Sequence, residues 1–163
     1  MARKKKITVN LGALSVALGC AARLVQLASA HFGLGLSSNR PLYVAMLCLL
    51  CGGFAVMAYE KKGRASLWAA LASVCSLMTT VMGNLSNGAD ALRVISALLL
   101  VGMFIFAALI MTASKKGTAK ITGIALIAVT LALAACMFFP LPGFLSVILP
   151  IAAYVLMGVG VII

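Results

Sequence analysis

Six apolar runs, each about as long as the roughly 20 helical residues needed to cross a bilayer's hydrocarbon, leave this chain few ways to fold. They occupy residues 7–30, 41–59, 65–83, 94–113, 121–139 and 144–163. Between them lie segments with turn chemistry: Gly33-Leu34-Gly35, then Ser37-Ser38-Asn39-Arg40-Pro41, then 84–90, then Pro140-Leu141-Pro142-Gly143. Inside hydrocarbon each backbone N–H and C=O must be satisfied by protein, which only helices and closed barrels achieve. A barrel needs apolar and polar residues to alternate, and these runs do not alternate. The expected fold is therefore an all-α integral membrane protein. It is a single domain over 1–163, a bundle of six transmembrane helices joined by short loops.

Composition agrees. Of 163 residues 64% are hydrophobic and 9% charged, with a mean hydropathy of +1.22. Soluble domains are about half apolar and roughly a quarter charged, and small ones bury the smallest share of their surface. The bilayer is the partner that takes the remaining apolar surface.

The 13 Lys and Arg face only two acids, Glu60 and Asp90, for a net charge of +11. In a soluble chain that balance would point to nucleic acid. Here the basic residues sit in short turns beside apolar runs, the pattern that retains a loop in the cytoplasm, so nucleic-acid binding is not expected. With a cytoplasmic N-terminus, the inner segments hold Arg3, Lys4, Lys5, Lys6, Lys61, Lys62, Arg64, Lys115, Lys116 and Lys120, and the outer ones only Arg40 and Arg93. Both termini are then cytoplasmic, and the plasma (inner) membrane is the expected location.

Two features admit competing readings. Arg3 to Lys6, the apolar core after them and Ala28-Ser29-Ala30 resemble a signal peptide with its cleavage site. Cleavage would leave five helices, but Arg23 and Gln26 interrupt the approach to that site, and a retained helix is favoured. Lys61-Lys62-Gly63 and Lys115-Lys116-Gly117 are alike, and Lys5-Lys6 precedes the first helix as those pairs precede the third and fifth. Three tandem hairpins would produce this pattern, but lysines acquired independently for topology produce it too, and the latter is favoured.

Polar residues within apolar runs are costly and mark candidate sites. Arg23 lies about 24 Å along the first helix from Ile7 at 1.5 Å per residue, near the expected outer boundary. It is either an anchor that snorkels to the headgroups or an inward cation that pairs with Asp90 or holds a ligand. On the first helix Gly12, Ser15, Gly19, Ala22, Arg23 and Gln26 share one small and polar face. On the third, Ser66, Ser73, Ser76, Thr80 and Asn84 do the same. Such faces turn away from lipid and favour close helix packing. Both grow more polar toward the outer side, where Arg23, Gln26, Asn84, Asn87, Asp90 and Arg93 converge on a candidate site.

Ala13, Ala17 and Ala21 form a second ridge on the first helix at a spacing of four. With the six-helix size and the inner termini, these alanines look similar to the substrate-binding S components of energy-coupling-factor transporters. That architectural likeness implies docking of another membrane protein along the ridge.

Other candidates carry less. Cys48-Leu49-Leu50-Cys51 has the spacing of a redox pair, but no basic neighbour favours a thiolate, and buried packing is the favoured role. His31 is the only histidine, and with two acids it makes neither a metal site nor a hydrolytic triad. Glu60 beside Lys61 and Asp90 in a loop are poorly placed to couple a proton or sodium ion. Pro150, followed by Gly158 and Gly160, should kink the sixth helix, chiefly to fit its neighbours.

The expected function is a transport-related subunit that binds a small neutral or anionic solute near the outer face. The site lies between the first and third helices and uses Arg23, Gln26, Asn84 and Asp90. The alternative is a non-catalytic accessory subunit of a larger membrane complex. No cofactor or metal is expected, and an intramembrane thiol enzyme is the lesser alternative.

The topology has a direct check. In intact cells a membrane-impermeant thiol reagent should label Asn87→Cys and leave Lys116→Cys unlabelled. The reverse pattern overturns the orientation.

Overall fold

The computed structural model describes residues 10–33, 40–85, 90–136 and 143–163. They form α1 (Leu11–Phe32), α2 (Arg40–Glu60), α3 (Arg64–Leu85), α4 (Asp90–Thr112), α5 (Gly117–Cys136) and α6 (Gly143–Ile162). All six helices are long and apolar enough to cross a membrane, as an integral multi-pass membrane protein requires.

Local chemistry sets the helix ends, and it shifts several of them from the hydropathy limits. Asn10 has an extended backbone, and its side chain accepts a hydrogen bond from the Ala13 N–H at 3.2 Å. This N-cap satisfies one of the first-turn amides, so α1 starts at Leu11, while residues 7–9 of the expected span lie outside the described residues. At the other end Gly33 adopts the left-handed conformation (φ 68°), and its N–H reaches the Ser29 carbonyl, a closure favoured at glycine. Ala28, Ser29 and Ala30, considered above as a cleavage site, are helical, and Ser29 is buried. Asn84 and Asp90, expected in a loop, belong to the last turn of α3 and the first residue of α4. A carboxylate at that position faces the positive end of the helix dipole. The separators 34–39 and 86–89, with Asn87, lie outside the described residues, as do 137–142 with Pro140 and Pro142.

Each helix packs on its neighbours in sequence, and α1 meets α6 to close a ring; α4 also touches α6 across the middle. Three successive hairpins would build this ring, and so would six helices that simply alternate with short turns. Asn10, Lys61, Lys116 and Ile163 border one cavity at one end of the bundle, the lysine end. The interior is filled by Phe54, Phe104, Leu126 and several methionines, among them Met57, Met103 and Met157, all essentially inaccessible. Phe104 and Tyr154 meet edge to face, with ring centroids 5.0 Å apart. Large apolar side chains such as Leu14, Leu18, Leu67, Val74, Leu98 and Ile124 point outward, as lipid contact requires.

The tightest seam joins α1 and α2, and glycines make it possible. A Cβ on Gly53 would stand 2.8 Å from the Val16 backbone nitrogen, and one on Gly12 would stand 2.7 Å from that of Met57. Backbone cannot yield as a side-chain end can. Gly158 and Gly160 also serve packing, against Cys20 on α1 and Met111 on α4. Pro150 sits inside α6, which continues on both sides of it.

Adjacent glycines separate these effects. Gly53→Ala should destabilise the protein by about 1–3 kcal/mol, the usual cost of overpacking. Gly52→Ala, with nothing within 4 Å of its added methyl, should be neutral or slightly stabilising. Thermal melts of both variants in one detergent check the difference, and equal melting temperatures would refute this account of the seam.

Candidate functional site

Away from the lysine end, five helices line an open cavity of about 330 Å³. Arg23 comes from α1, and Tyr43, Met46 and Leu50 from α2. Ser76, Thr79 and Thr80 come from α3, Arg93 and Ser96 from α4, and Tyr154 from α6. No side-chain carboxylate is among the described residues that line it.

Arg23 lies nearer the middle of α1 than the hydropathy limits imply. Because α1 runs from Leu11 to Phe32, Arg23 is about 18 Å from its start at 1.5 Å per residue, close to the helix midpoint. Its Nη1 donates to Gln26 Oε1 at 3.1 Å, while its buried Nε has no partner. Gln26 is only 3% exposed, and its Nε2 is likewise buried without an acceptor. Tyr154, buried on α6, is within electrostatic reach of the guanidinium. Two buried donor groups therefore lack acceptors, and an unpartnered buried polar group is costly.

Three of the lining hydroxyls of α3 and α4 point their protons elsewhere. Thr79 donates to the Cys75 carbonyl at 2.7 Å, Thr80 to that of Ser76 at 3.1 Å, and Ser96 to that of Thr79 at 3.0 Å. Threonine commonly bonds back four residues in this way. What these oxygens have left to offer is lone pairs. The cavity thus combines charged donors at Arg23 and Arg93 with hydroxyl acceptors across from them.

The structure brings some of the sequence candidates together and separates others. Arg23 lines the cavity, and Gln26 bonds to it without lining the cavity itself. Asn84 is exposed at the end of α3. Asp90 is also exposed and pairs with Arg93, one turn along α4, at 3.8 Å, so the ion pair posited between Arg23 and Asp90 is replaced by one within α4. Proximity explains this, since residues three apart on a helix are neighbours. Sequence reasoning missed Tyr43, Thr79, Ser96 and Tyr154 as lining residues, and it grouped Arg93 with the converging residues without counting it among the binding ones. Asp90, Arg93 and Ser96, spaced by three at the start of α4, were the legible signal.

The polar face of α3 divides along its length. Ser66 donates to the Ala58 carbonyl and Ser73 to that of Cys51, at 2.5 and 2.9 Å, so both bind α3 to α2. Ser76 and Thr80 face the cavity. The alanine ridge divides too. Ala13 is buried, Ala17 is beside Gly158 of α6, and Ala21 is exposed, so part of the ridge serves the seam between α1 and α6. His31 is exposed near the end of α1, its ring edge-on to Phe32 at 5.6 Å. Among the described residues no three His, Cys, Asp or Glu side chains gather as a metal site would need.

No family model, curated protein or solved structure matches the chain.

The thiols are checked separately. Cys48 is exposed on α2, whereas Cys51 contacts the Ser73 hydroxyl at 3.3 Å. Replacing Cys48 and Cys51 together by alanine should leave expression and detergent stability nearly unchanged. Loss of a redox activity in that variant would restore the thiol-enzyme reading.

Proposed function

We propose that this protein is a transport-related membrane subunit that binds a small solute in the cavity around Arg23. With both termini cytoplasmic, as the lysine-rich turns favour, that cavity lies in the outer half of the membrane. The observation that carries the reading is the Arg23 guanidinium at the wall of a cavity that no described side-chain carboxylate lines. A guanidinium with a buried Nε lacking an acceptor, in a cavity without side-chain carboxylates, is stabilised by an incoming anion. An anionic solute is therefore favoured over a neutral one. Its carboxylate or equivalent group meets Arg23, and any hydroxyl or amine it carries finds acceptors at Thr79, Thr80 and Ser96.

Energy for transport would come from a partner. Ion-driven carriers place an acid within the membrane, whereas Glu60 is at the end of α2 and Asp90 is the first residue of α4, both exposed. The accessory-subunit reading is the second possibility. It is favoured by α3, the least covered helix, with 17% of its apolar window buried, and by the outward Ala21, both of which offer contact surface to another membrane protein.

Ligand-dependent thermal stabilisation separates the two, since a solute that binds only the folded state at about 100 times its Kd adds about 2.7 kcal/mol. A panel of small carboxylates and neutral analogues should yield at least one compound that raises the melting temperature. Arg23→Lys should abolish that rise while keeping basal stability, because lysine lacks the planar fork. If Arg23→Lys and Arg23→Ala both match the unaltered protein in stability and in binding, the site has no basis.

A further inference from the structure

A second cavity, of about 480 Å³, lies at the lysine end, where α1 and α5 begin and α2, α4 and α6 finish. Its floor is apolar, with Met57 and Met111 almost fully buried. Its polar lining is Asn10, Lys61, Ser114 and Lys116, and no side-chain carboxylate joins them among the described residues. Glu60, next to Lys61, is exposed and outside the lining.

The hydrogen bonds already made fix what this lining can still offer. Asn10 uses its side-chain oxygen to accept from Ala13, which leaves its amide NH₂ to donate. Ser114 uses its Oγ to accept from the Lys116 backbone N–H at 3.3 Å, so its own proton is free to donate. Lys116 gives one N–H to a main-chain oxygen of Ile163, and an ammonium has three. Lys61 adds a second ammonium. Two helix N-termini and three C-termini border the same space, so the helix dipoles do not favour an anion and the side chains decide. All four polar side chains therefore present donors, and two of them carry positive charge.

We infer that the lysine-end cavity is a second anion site, distinct from the one around Arg23, and that it takes a phosphate group. A phosphate brings several acceptor oxygens and up to two charges to a donor-rich, doubly cationic lining, whereas a carboxylate brings two oxygens and one charge. The group belongs either to a soluble phosphate ester or to an anionic lipid headgroup at the same boundary. The fold also divides residues that topology treats alike. Lys62 and Lys115 neighbour Lys61 and Lys116 in sequence and serve orientation equally, yet they do not line the cavity.

That division supplies the test. The protein in a neutral detergent is titrated with inorganic phosphate at constant ionic strength and, separately, with phosphatidylglycerol, following its melting temperature. At least one probe should give a saturable rise. In Lys61→Gln/Lys116→Gln the half-saturating concentration should increase at least tenfold. Lys62→Gln/Lys115→Gln, with the same charge removed, should respond like the unaltered protein. A response to phosphate assigns the soluble ester, and a response to phosphatidylglycerol alone assigns the headgroup. If neither probe gives a saturable rise in the unaltered protein, or if the two lysine pairs lose it equally, the site does not exist. The first of those outcomes needs no variant.

Discussion

Hydrocarbon contains nothing for a polar group to bond, and most features of this bundle follow from that. Backbone groups are satisfied within each helix, and side-chain hydroxyls are satisfied in the same manner. Thr79, Thr80 and Thr130 each return a proton to a carbonyl four residues back, and Ser66, Ser73 and Ser96 donate to a neighbouring helix. Against this consistent pairing the exceptions stand out. Among the described residues, Arg23 Nε and Gln26 Nε2 are the buried side-chain nitrogens left without a partner, and their side chains are linked to each other through one hydrogen bond. In water such a deficit would mean little. In a membrane it is costly, because no water is there to answer it.

The number of helices was legible because hydrocarbon thickness sets a length, and a length can be counted in sequence. Their ends were less legible, because a cap is made by one side chain rather than by average hydropathy. Asn10 ends the extended segment before α1, and Asp90 opens α4 where a loop was expected. Those small shifts put Arg23 nearer the middle of its helix than the hydropathy limits did.

The candidate site was legible in Arg23, in Arg93 and in Ser76 and Thr80 of α3, and obscured in others. A lone arginine in an apolar run is conspicuous, so Arg23 was found. Thr79 and Tyr154 were missed because helical spacing shows which residues share a face and not which face meets which neighbour. Asp90 illustrates the same limit, since electrostatics alone allowed it either Arg23 or Arg93, and the near one on its own helix prevailed. Ser66 and Thr80 look equivalent in the sequence of α3, two hydroxyls on one face. Distance along the helix nevertheless assigns Ser66 to a seam and Thr80 to a cavity wall.

The two kinds of interior contact give the bundle uneven mechanical character. Where glycine sets backbone against backbone, as at Gly12 and Gly53, any sliding meets immediate steric resistance. Where Met57, Met103, Met111 and Met157 fill the middle, unbranched thioethers re-form contacts after small displacements. The hairpin of α1 and α2 is thus a stiff beam, and the centre between α2, α4 and α6 is a compliant filling. Methionines also line both cavities, Met57 and Met111 at the lysine end and Met46 and Met103 at the other.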